Sequence, residues 1–220
     1  MKIKVCGMRE SANIEALSVL KPDYMGLIFY AHSKRFVDES SLSLPEDILS
    51  EIKLTGVFVN ETLDNILMQI QKYCLQAIQL HGNESPEFCS SLQLAITNFH
   101  PGLELIKAFG IDNSFDFSIL DDYLPFVDFF LFDTKTPAHG GSGEKFNWEI
   151  LKNYKLQKPY FLSGGIGAND LEELKSINDD RFYCADLNSK FEISPGLKDI
   201  EKISRAISGI RQINLNDGRV

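Results

Sequence analysis

Side chains that can transfer protons or hold anions recur at the ends of short apolar runs in this sequence. Cys6 follows the first run, His81 the fourth and Asp133 the sixth, while Asp186 lies near the end of the eighth. The segment 32–35, which ends in Arg35, follows the second run. In a closed parallel barrel the loops after the strands build the active site, so reactive residues at strand ends are candidates for function. These residues would ring one mouth of such a barrel.

Two glycine-rich turns could bind an anion. One spans residues 140–143 (Gly-Gly-Ser-Gly) after the sixth run, and the other spans 163–167 (Ser-Gly-Gly-Ile-Gly) directly after the seventh. Glycine allows backbone angles at which consecutive amides point at one anion, and a following helix N-terminus strengthens the attraction. Either alone could be an ordinary tight turn. The two together, with Asn188 and Ser189 after the eighth run, favour a phosphate site, because barrels often bind phosphate after strands seven and eight.

Eight short apolar or β-branched runs alternate with stretches of helical spacing, which is the pattern of repeated βα units. The predicted strands span residues 3–5, 24–29, 54–59, 77–80, 103–108, 127–132, 160–162 and 182–187. Several are almost continuously apolar, as expected for strands covered on both faces. An open doubly wound sheet would give a similar pattern. Eight units and the lack of a GxGxxG motif after the first strand favour an α/β fold of the (β/α)8 TIM-barrel type.

The barrel is predicted to form a single domain over residues 1–213, followed by a polar tail over 214–220. A helix start is predicted at Ser85, because Pro86 and Glu87 follow it and serine is a favoured helix cap. The last helix is expected to begin near Leu197 and to run to about Ile210.

Composition excludes several classes of partner. The chain has 220 residues, 44% of them hydrophobic, and its formal charge is −9 without any long basic run. Nucleic acid is therefore not expected to bind. The first ten residues lack the pattern of a signal peptide, and no segment approaches the roughly 18 apolar residues of a membrane span. We expect no membrane association and a cytoplasmic location.

The four cysteines, at positions 6, 74, 89 and 184, are scattered and form no CxxC pair. No histidine lies at the spacing of a zinc site, so the pattern predicts neither a metal nor a disulfide framework. Most of them are expected to be buried apolar residues, and Cys6 is a separate case as a candidate for function.

Eight segments match one family of barrel enzymes, in the same order along the chain. They are KVCGM at 4–8, SKRFV at 33–37, GVFVN at 56–60, IQLHG at 78–82, LFDT at 131–134, GGSGEKFNW at 140–148, LSGGI at 162–166 and DLNSKFEISPGLKD at 186–199. In these segments the chain resembles the phosphoribosylanthranilate isomerases of tryptophan biosynthesis. The resemblance implies an aldose-ketose isomerase without cofactor or metal. Its reaction would convert N-(5-phosphoribosyl)anthranilate to 1-(o-carboxyphenylamino)-1-deoxyribulose 5-phosphate by an acid/base Amadori rearrangement.

The resemblance also implies a role for each site residue. Cys6 would be the general base that removes the proton from C2 of the sugar, and Asp133 the general acid that protonates the ring oxygen. Arg35 would hold the carboxylate of anthranilate, and Asp186 would line the site. The phosphate would be held by Gly141, Ser142, Gly143, Gly164, Gly165, Ser189 and Lys190. The implied partner is a small phosphorylated substrate, bound by a monomer or a homodimer.

Lys4 lies two residues before Cys6, and strand alternation places both on one face of the first strand. An interior ammonium would favour the thiolate of Cys6. Lys4 could equally pair with a carboxylate such as Asp186 for packing, and the two roles are compatible. His81 is expected to be a hydrogen-bonded structural residue.

Three positions depart from the family pattern. Lys34 stands where proline is common, Ser142 replaces a threonine, and Lys190 stands where glycine is usual. Lys190 matters most, because its side chain could add positive charge near the phosphate or force the backbone away from it.

Two alternative functions remain open on the sequence. One is a different phosphate-binding barrel: an indole-glycerol-phosphate synthase, which needs a catalytic lysine and glutamate, or a flavin-dependent oxidoreductase, which would be yellow. The other is a barrel that binds a sugar phosphate without turning it over. The presence of both Cys6 and Asp133 argues against the latter, because binding alone requires neither.

Overall fold

The computed structural model describes residues 1–38, 42, 44, 51–135 and 145–216, with the side chains of 213–216 excepted. The barrel strands are β1 (Lys2–Cys6), β2 (Tyr24–Ile28), β3 (Lys53–Phe58), β4 (Ala77–Leu80), β5 (Glu104–Ile111), β6 (Phe129–Thr134), β7 (Tyr160–Leu162) and β8 (Phe182–Leu187). They are parallel and follow one another around a closed barrel, in which β1 pairs with both β2 and β8. The predicted (β/α)8 barrel is confirmed.

The α-helices of the described residues lie outside the barrel. They are α1 (Ser11–Ser18), α2 (Leu63–Tyr73), α3 (Pro86–Phe99), α4 (Leu171–Ser176) and α5 (Ile200–Asn216). Helix α3 begins as predicted, with the Ser85 side chain accepting from Phe88 N and proline in the first turn. Short 3-10 segments stand after β5 to β8, at Phe117–Tyr123, Trp148–Asn153, Ala168–Asp170 and Ser189–Phe191. Among the described helices, none has the length and apolar character needed to cross a membrane.

A small antiparallel hairpin follows β8 and was not predicted. It consists of β9 (Glu192–Ser194) and β10 (Leu197–Lys198). The prediction that the last helix begins near Leu197 was wrong, because Leu197 and Lys198 pair with β9. The helix begins at Ile200 and continues past Ile210 to Asn216.

The barrel interior changes character along the strands. Near their amino ends it is filled by aromatic rings: Tyr24 and Phe161 lie 5.2 Å apart, and Phe129 stacks on Tyr183 at 4.7 Å. Tyr24 also donates to Glu104 on β5, with 2.9 Å between the oxygens. Towards the carboxyl ends the interior becomes polar. The apolar half anchors the strands, and the polar half faces the mouth where reactive residues were predicted.

The prediction that most of the cysteines are buried is confirmed. Cys6, Cys89 and Cys184 are buried and free. Cys74 is exposed and follows the last residue of α2 in a left-handed conformation at φ +50.

Candidate active site at the carboxyl mouth of the barrel

Cys6 is the last residue of β1 and is 3% exposed. The neighbouring strand leaves space for its sulfur, since a Cβ at Gly26 would lie 2.6 Å from Cys6 Sγ. The next residue, Gly7, has φ +78, and the amides of Gly7 and Met8 both donate to Gly26 O. Glycine is required at position 26 by space and is favoured at position 7 by its backbone angle. Together they fix where the thiol lies.

Burial raises the pKa of the Cys6 thiol, because a thiolate is poorly solvated in the barrel interior. Three charged side chains modify this effect. Lys4 lowers the pKa of Cys6, Asp186 raises it, and Lys198 lowers it. Burial outweighs the two ammonium groups, so the sulfur of the free protein is held mainly as the thiol at neutral pH.

Lys4 lies fully buried inside the barrel, directly in register with Asp186 of the neighbouring strand β8. Its Nζ donates to Asp186 Oδ2 at 2.8 Å and to Gln79 Oε1 at 2.7 Å. Burial alone would lower the pKa of Lys4, but the charges of Asp186 and Cys6 raise it above its ordinary value, so the ammonium stays charged. The ion pair considered from the sequence is therefore present. Asp186 Oδ1 is buried and has no hydrogen-bond partner among the described residues.

Asp133 lies near the end of β6 and is connected to Lys4 through two side chains of β4 and its loop. Its Oδ1 accepts from Thr134 N at 2.8 Å, and its Oδ2 lies 3.2 Å from His81 Nε2. His81 Nδ1 lies 2.6 Å from Gln79 Nε2. Since Gln79 Oε1 accepts from Lys4, its amide nitrogen must donate to His81 Nδ1. This network assigns the hydrogen of His81 to Nε2, from which it donates to Asp133.

Arg35 makes a two-pronged ion pair with Glu192 of β9. Arg35 Nε and Nη2 lie 2.8 Å and 2.6 Å from the two carboxylate oxygens. Glu192 Oε1 also accepts from Lys198 Nζ at 2.6 Å, and Lys198 donates to Asn188 Oδ1 at 2.7 Å. Burial alone would raise the pKa of Glu192, but Arg35 and Lys198 lower it to about 2. Arg35 is thereby held at the mouth, beside Gly7.

The glycine turn after β7 packs directly on the end of β6. Gly164 and Gly165 have φ +88 and φ +71, which are left-handed angles that favour glycine. A Cβ at Gly164 would lie 2.7 Å from Thr134 N and 3.1 Å from Asp133 Oδ1. The turn predicted to bind phosphate therefore adjoins the predicted acid. Gly141, Ser142 and Gly143 of the other turn lie outside the described residues.

Ser189 and Lys190 begin the 3-10 segment after β8. A Cβ at Gly167 would lie 3.7 Å from Lys190 Cβ, so the stem of Lys190 runs beside the turn after β7. The charge of Lys190 contributes to lowering the pKa of Asp170, which caps the same turn through Gly167 N at 2.7 Å. Lysine at this position therefore places positive charge near the turn, and the two loops remain adjacent.

A cavity of about 620 Å³ opens beside Asp133 and His81, between the loops that follow β4, β5 and β6. Lys107, Phe109 and Tyr123 also line it. Its base is held by Glu84, which accepts from Asn60 N and Gly82 N and lies 3.1 Å from Lys107 Nζ. The volume is in the range of small-molecule sites.

Sequence reasoning did not single out Gln79, Glu192 or Lys198. Gln79 lies within a predicted strand, where a polar residue facing the interior cannot be told from one facing a helix. Glu192 and Lys198 lie in the matched segment 186–199, which was the available signal. The ion pair of Glu192 could not be foreseen, because Arg35 lies 157 positions away in the chain.

The fold and these residues define a class: a (β/α)8-barrel enzyme with groups able to transfer protons at the carboxyl mouth, beside a glycine turn able to hold phosphate. The model of the family N-(5'phosphoribosyl)anthranilate (PRA) isomerase matches residues 3–208. The chain belongs to this family.

Individual relatives agree with this assignment. The chain is 43% identical over 221 residues to the N-(5'-phosphoribosyl)anthranilate isomerase of Parabacteroides distasonis, covering 100% of this chain and 97% of that protein. It is 42% identical to that of Phocaeicola vulgatus, covering 96% and 98%. The crystal structure of the Thermotoga maritima phosphoribosyl anthranilate isomerase superimposes with a TM-score of 0.79 at 31% identity, covering 96% of this chain and 99% of that one.

Family membership confirms the predicted activity, which is the isomerisation of N-(5'-phosphoribosyl)anthranilate in tryptophan biosynthesis. The alternative predictions of a synthase, an oxidoreductase and a non-catalytic barrel are set aside.

Proposed function

We propose that this isomerisation uses Cys6 as the general base and Asp133 as the general acid. The observation that carries the assignment is the hydrogen-bonded series Asp186, Lys4, Gln79, His81 and Asp133, which crosses the mouth of the barrel. Cys6 shares a strand face with Lys4 at one end of this series, and Asp133 forms the other end. Both reactive groups therefore border one buried polar layer.

The proposed reaction begins with ring opening. Asp133 gives its proton to the ring oxygen of the ribosylamine, and the bond from that oxygen to C1 breaks to leave a protonated imine. The imine withdraws electrons from C2, which makes the C2 proton acidic enough for a thiolate to remove. Cys6 takes that proton, and the resulting enolamine tautomerises to the 1-amino-1-deoxyketose. Atoms balance without an oxidant or a reductant.

Substrate binding is assigned to the two sides of this polar layer. The phosphate would lie against the amides of Gly164 and Gly165, with Ser189 and Lys190 and the turn at 141–143 completing the site. Arg35, held by Glu192 through Nε and Nη2, keeps Nη1 for the carboxylate of anthranilate. The unpartnered Asp186 Oδ1 would accept a hydrogen bond from a substrate hydroxyl. A relative of 26% identity was solved in complex with reduced 1-(o-carboxyphenylamino)-1-deoxyribulose 5-phosphate, which supports binding of a phosphorylated ligand of this chemistry.

The test follows the fluorescence of phosphoribosylanthranilate as enzyme consumes it. Cys6→Ala and Asp133→Asn should each lose most turnover, typically a hundredfold or more for an acid or base (~10² to 10⁴). Both should still bind a product analogue. The exposed Cys74→Ala and Asp122→Asn are the matched controls and should keep turnover. Near-normal turnover in Cys6→Ala would show that another group is the base.

We also propose that the chain works as a monomer or a homodimer. A relative of 28% identity was solved as monomers generated from the dimeric Thermotoga maritima isomerase, so both states occur for that protein. A solution mass measurement distinguishes the two states, and a higher oligomer would contradict the proposal. The cytoplasmic location and the polar tail at 214–220 stay predictions from the sequence.

A further inference from the structure

Lys198 is a fully buried lysine that the assigned chemistry does not use. It ends β10, and its side chain is 0% exposed. Its backbone is fixed on both sides by one asparagine of α1: Asn13 Oδ1 accepts from Lys198 N at 2.8 Å, and Asn13 Nδ2 donates to Lys198 O at 3.0 Å. The ammonium itself is held by Glu192 Oε1 at 2.6 Å and by Asn188 Oδ1 at 2.7 Å.

The ammonium lies beside the first-strand loop that carries the thiol. A Cβ at Gly7 would be 3.5 Å from Lys198 Nζ, and Gly7 directly follows Cys6. The two groups influence each other: the charge of Lys198 lowers the pKa of Cys6, and Cys6 raises that of Lys198. Lys198 is therefore a second cation near the sulfur, in addition to Lys4.

The charge count around the sulfur is unequal. The charged side chains with the largest effects on Cys6 and Lys198 form what we call the charge cluster: Lys4 from β1, Arg35 from the loop after β2, Asp186 from β8, Glu192 from β9 and Lys198 itself. Three of these five are cations and two are anions, so the five together carry one net positive charge.

Glu192 does not neutralise Lys198 alone, because both of its oxygens also accept from Arg35. A thiolate at Cys6 would supply the missing negative charge.

We propose that Lys198 is a positioning residue for the isomerisation, and that its buried ammonium acts through Cys6 by stabilising the thiolate form. The proposal rests on the proposed role of Cys6 as the base. Without the charge of Lys198, the other four side chains of the charge cluster sum to zero. Ionising Cys6 then leaves a net negative charge buried in the barrel. A smaller fraction of the sulfur is ionised at any pH, and turnover falls with that fraction.

The test measures ionisation of Cys6 directly. In a Cys74→Ser background, which removes the exposed thiol, thiolate absorbance is titrated against pH and corrected by the same titration of Cys6→Ala. Alkylation of Cys6 by iodoacetamide, located by peptide mapping, gives a second readout. Lys198→Met should raise the titration midpoint of Cys6 by about one pH unit or more, which is a tenfold lower thiolate fraction below the midpoint. Turnover near neutral pH should fall by a similar factor.

Three further variants make the result specific. Lys198→Arg keeps the charge and should restore most of the original midpoint. Glu192→Gln removes an anion and should move the midpoint in the opposite direction. Lys152→Met removes an exposed lysine that pairs with Glu149 and should change nothing. If Lys198→Met does not fold, Lys198→Gln removes the same charge while keeping a polar side chain, and the same titration of Cys6 in that variant decides the proposal.

Two results would overturn the inference and can be told apart. If Cys6→Ala is inactive but the midpoint of Cys6 stays unchanged in Lys198→Met or Lys198→Gln, Lys198 is structural and Cys6 remains the base. If Cys6→Ala keeps its turnover, the assignment of the base fails, and Lys198 has no role in the reaction whatever its effect on the thiol.

Discussion

Replacing Glu192 by glutamine should lower the free energy of unfolding by up to about 3 kcal/mol at neutral pH. The Glu192 side chain is 5% exposed and accepts hydrogen bonds from Arg35 and Lys198. Although burial acts to raise the pKa of Glu192, the two cations hold it at about 2, below the ordinary 4.5. Each pKa unit corresponds to about 1.4 kcal/mol. The value of 3 kcal/mol is an upper limit. Burial lowers the pKa of Lys198, so the cost of burying this ammonium offsets part of the stabilisation that Glu192 provides.

The sign of the pH dependence follows from the lowered pKa. A carboxylate whose pKa is depressed on folding stabilises the native state fully above its unfolded pKa, here 4.5, and loses that contribution as the pH falls towards 2. About 1.4 kcal/mol should be lost by about pH 3.5. The stabilities of wild type and Glu192→Gln should therefore converge on acidification.

The assay is urea denaturation followed by circular dichroism at a series of pH values. Glu201→Gln is the matched control, because Glu201 is 83% exposed, and its stability should stay within about 0.5 kcal/mol of wild type. The reasoning would be refuted if the free energies of unfolding of wild type and Glu192→Gln differed by the same amount at every pH. It would also be refuted if they were equal at neutral pH.

Two further substitutions test the site. Gly164→Ala should destabilise the protein and lower turnover, because it combines a left-handed φ of +88 with a Cβ 2.7 Å from Thr134 N. Gly102→Ala isolates the backbone effect, since Gly102 has φ +89 with nothing within 4 Å; it should cost only about 1 kcal/mol in urea denaturation and keep turnover. Equal effects of the two would argue against contact of the turn with β6. Gln79→Leu leaves Lys4 and His81 each without one hydrogen bond, and should cost about 2 to 4 kcal/mol and lower kcat more than it raises KM. An unchanged kcat would show that the hydrogen bonds of Gln79 do not influence the chemistry at Asp133.

Much of the fold could be predicted because parallel strands covered on both faces are continuously apolar. Strands β4, β7 and β8 have the predicted bounds. Strand β5 continues three residues past its predicted end at 108, to Ile111. The hairpin of β9 and β10 could not be predicted, because its few residues carry no periodic pattern and Leu197 and Lys198 also suit a helix start.

The site could be predicted as a set of positions but not as a set of contacts. Strand ends identify Cys6 and Asp133, and alternation correctly places Lys4 in the barrel interior. Which groups pair is decided by barrel closure. Only closure brings Arg35 to Glu192, and Lys4 to Gln79 on a strand that is not its neighbour. Strand periodicity carries no information about such pairs.

The aromatic layer formed by Tyr24, Phe129, Phe161 and Tyr183 has a consequence for how the enzyme cycles. These rings close the barrel interior at the amino ends of the strands, so the interior opens only at the carboxyl ends. Reactant and product must use the same opening, so a new molecule cannot enter until the old one has left. Both therefore pass the loops at the carboxyl ends of the strands.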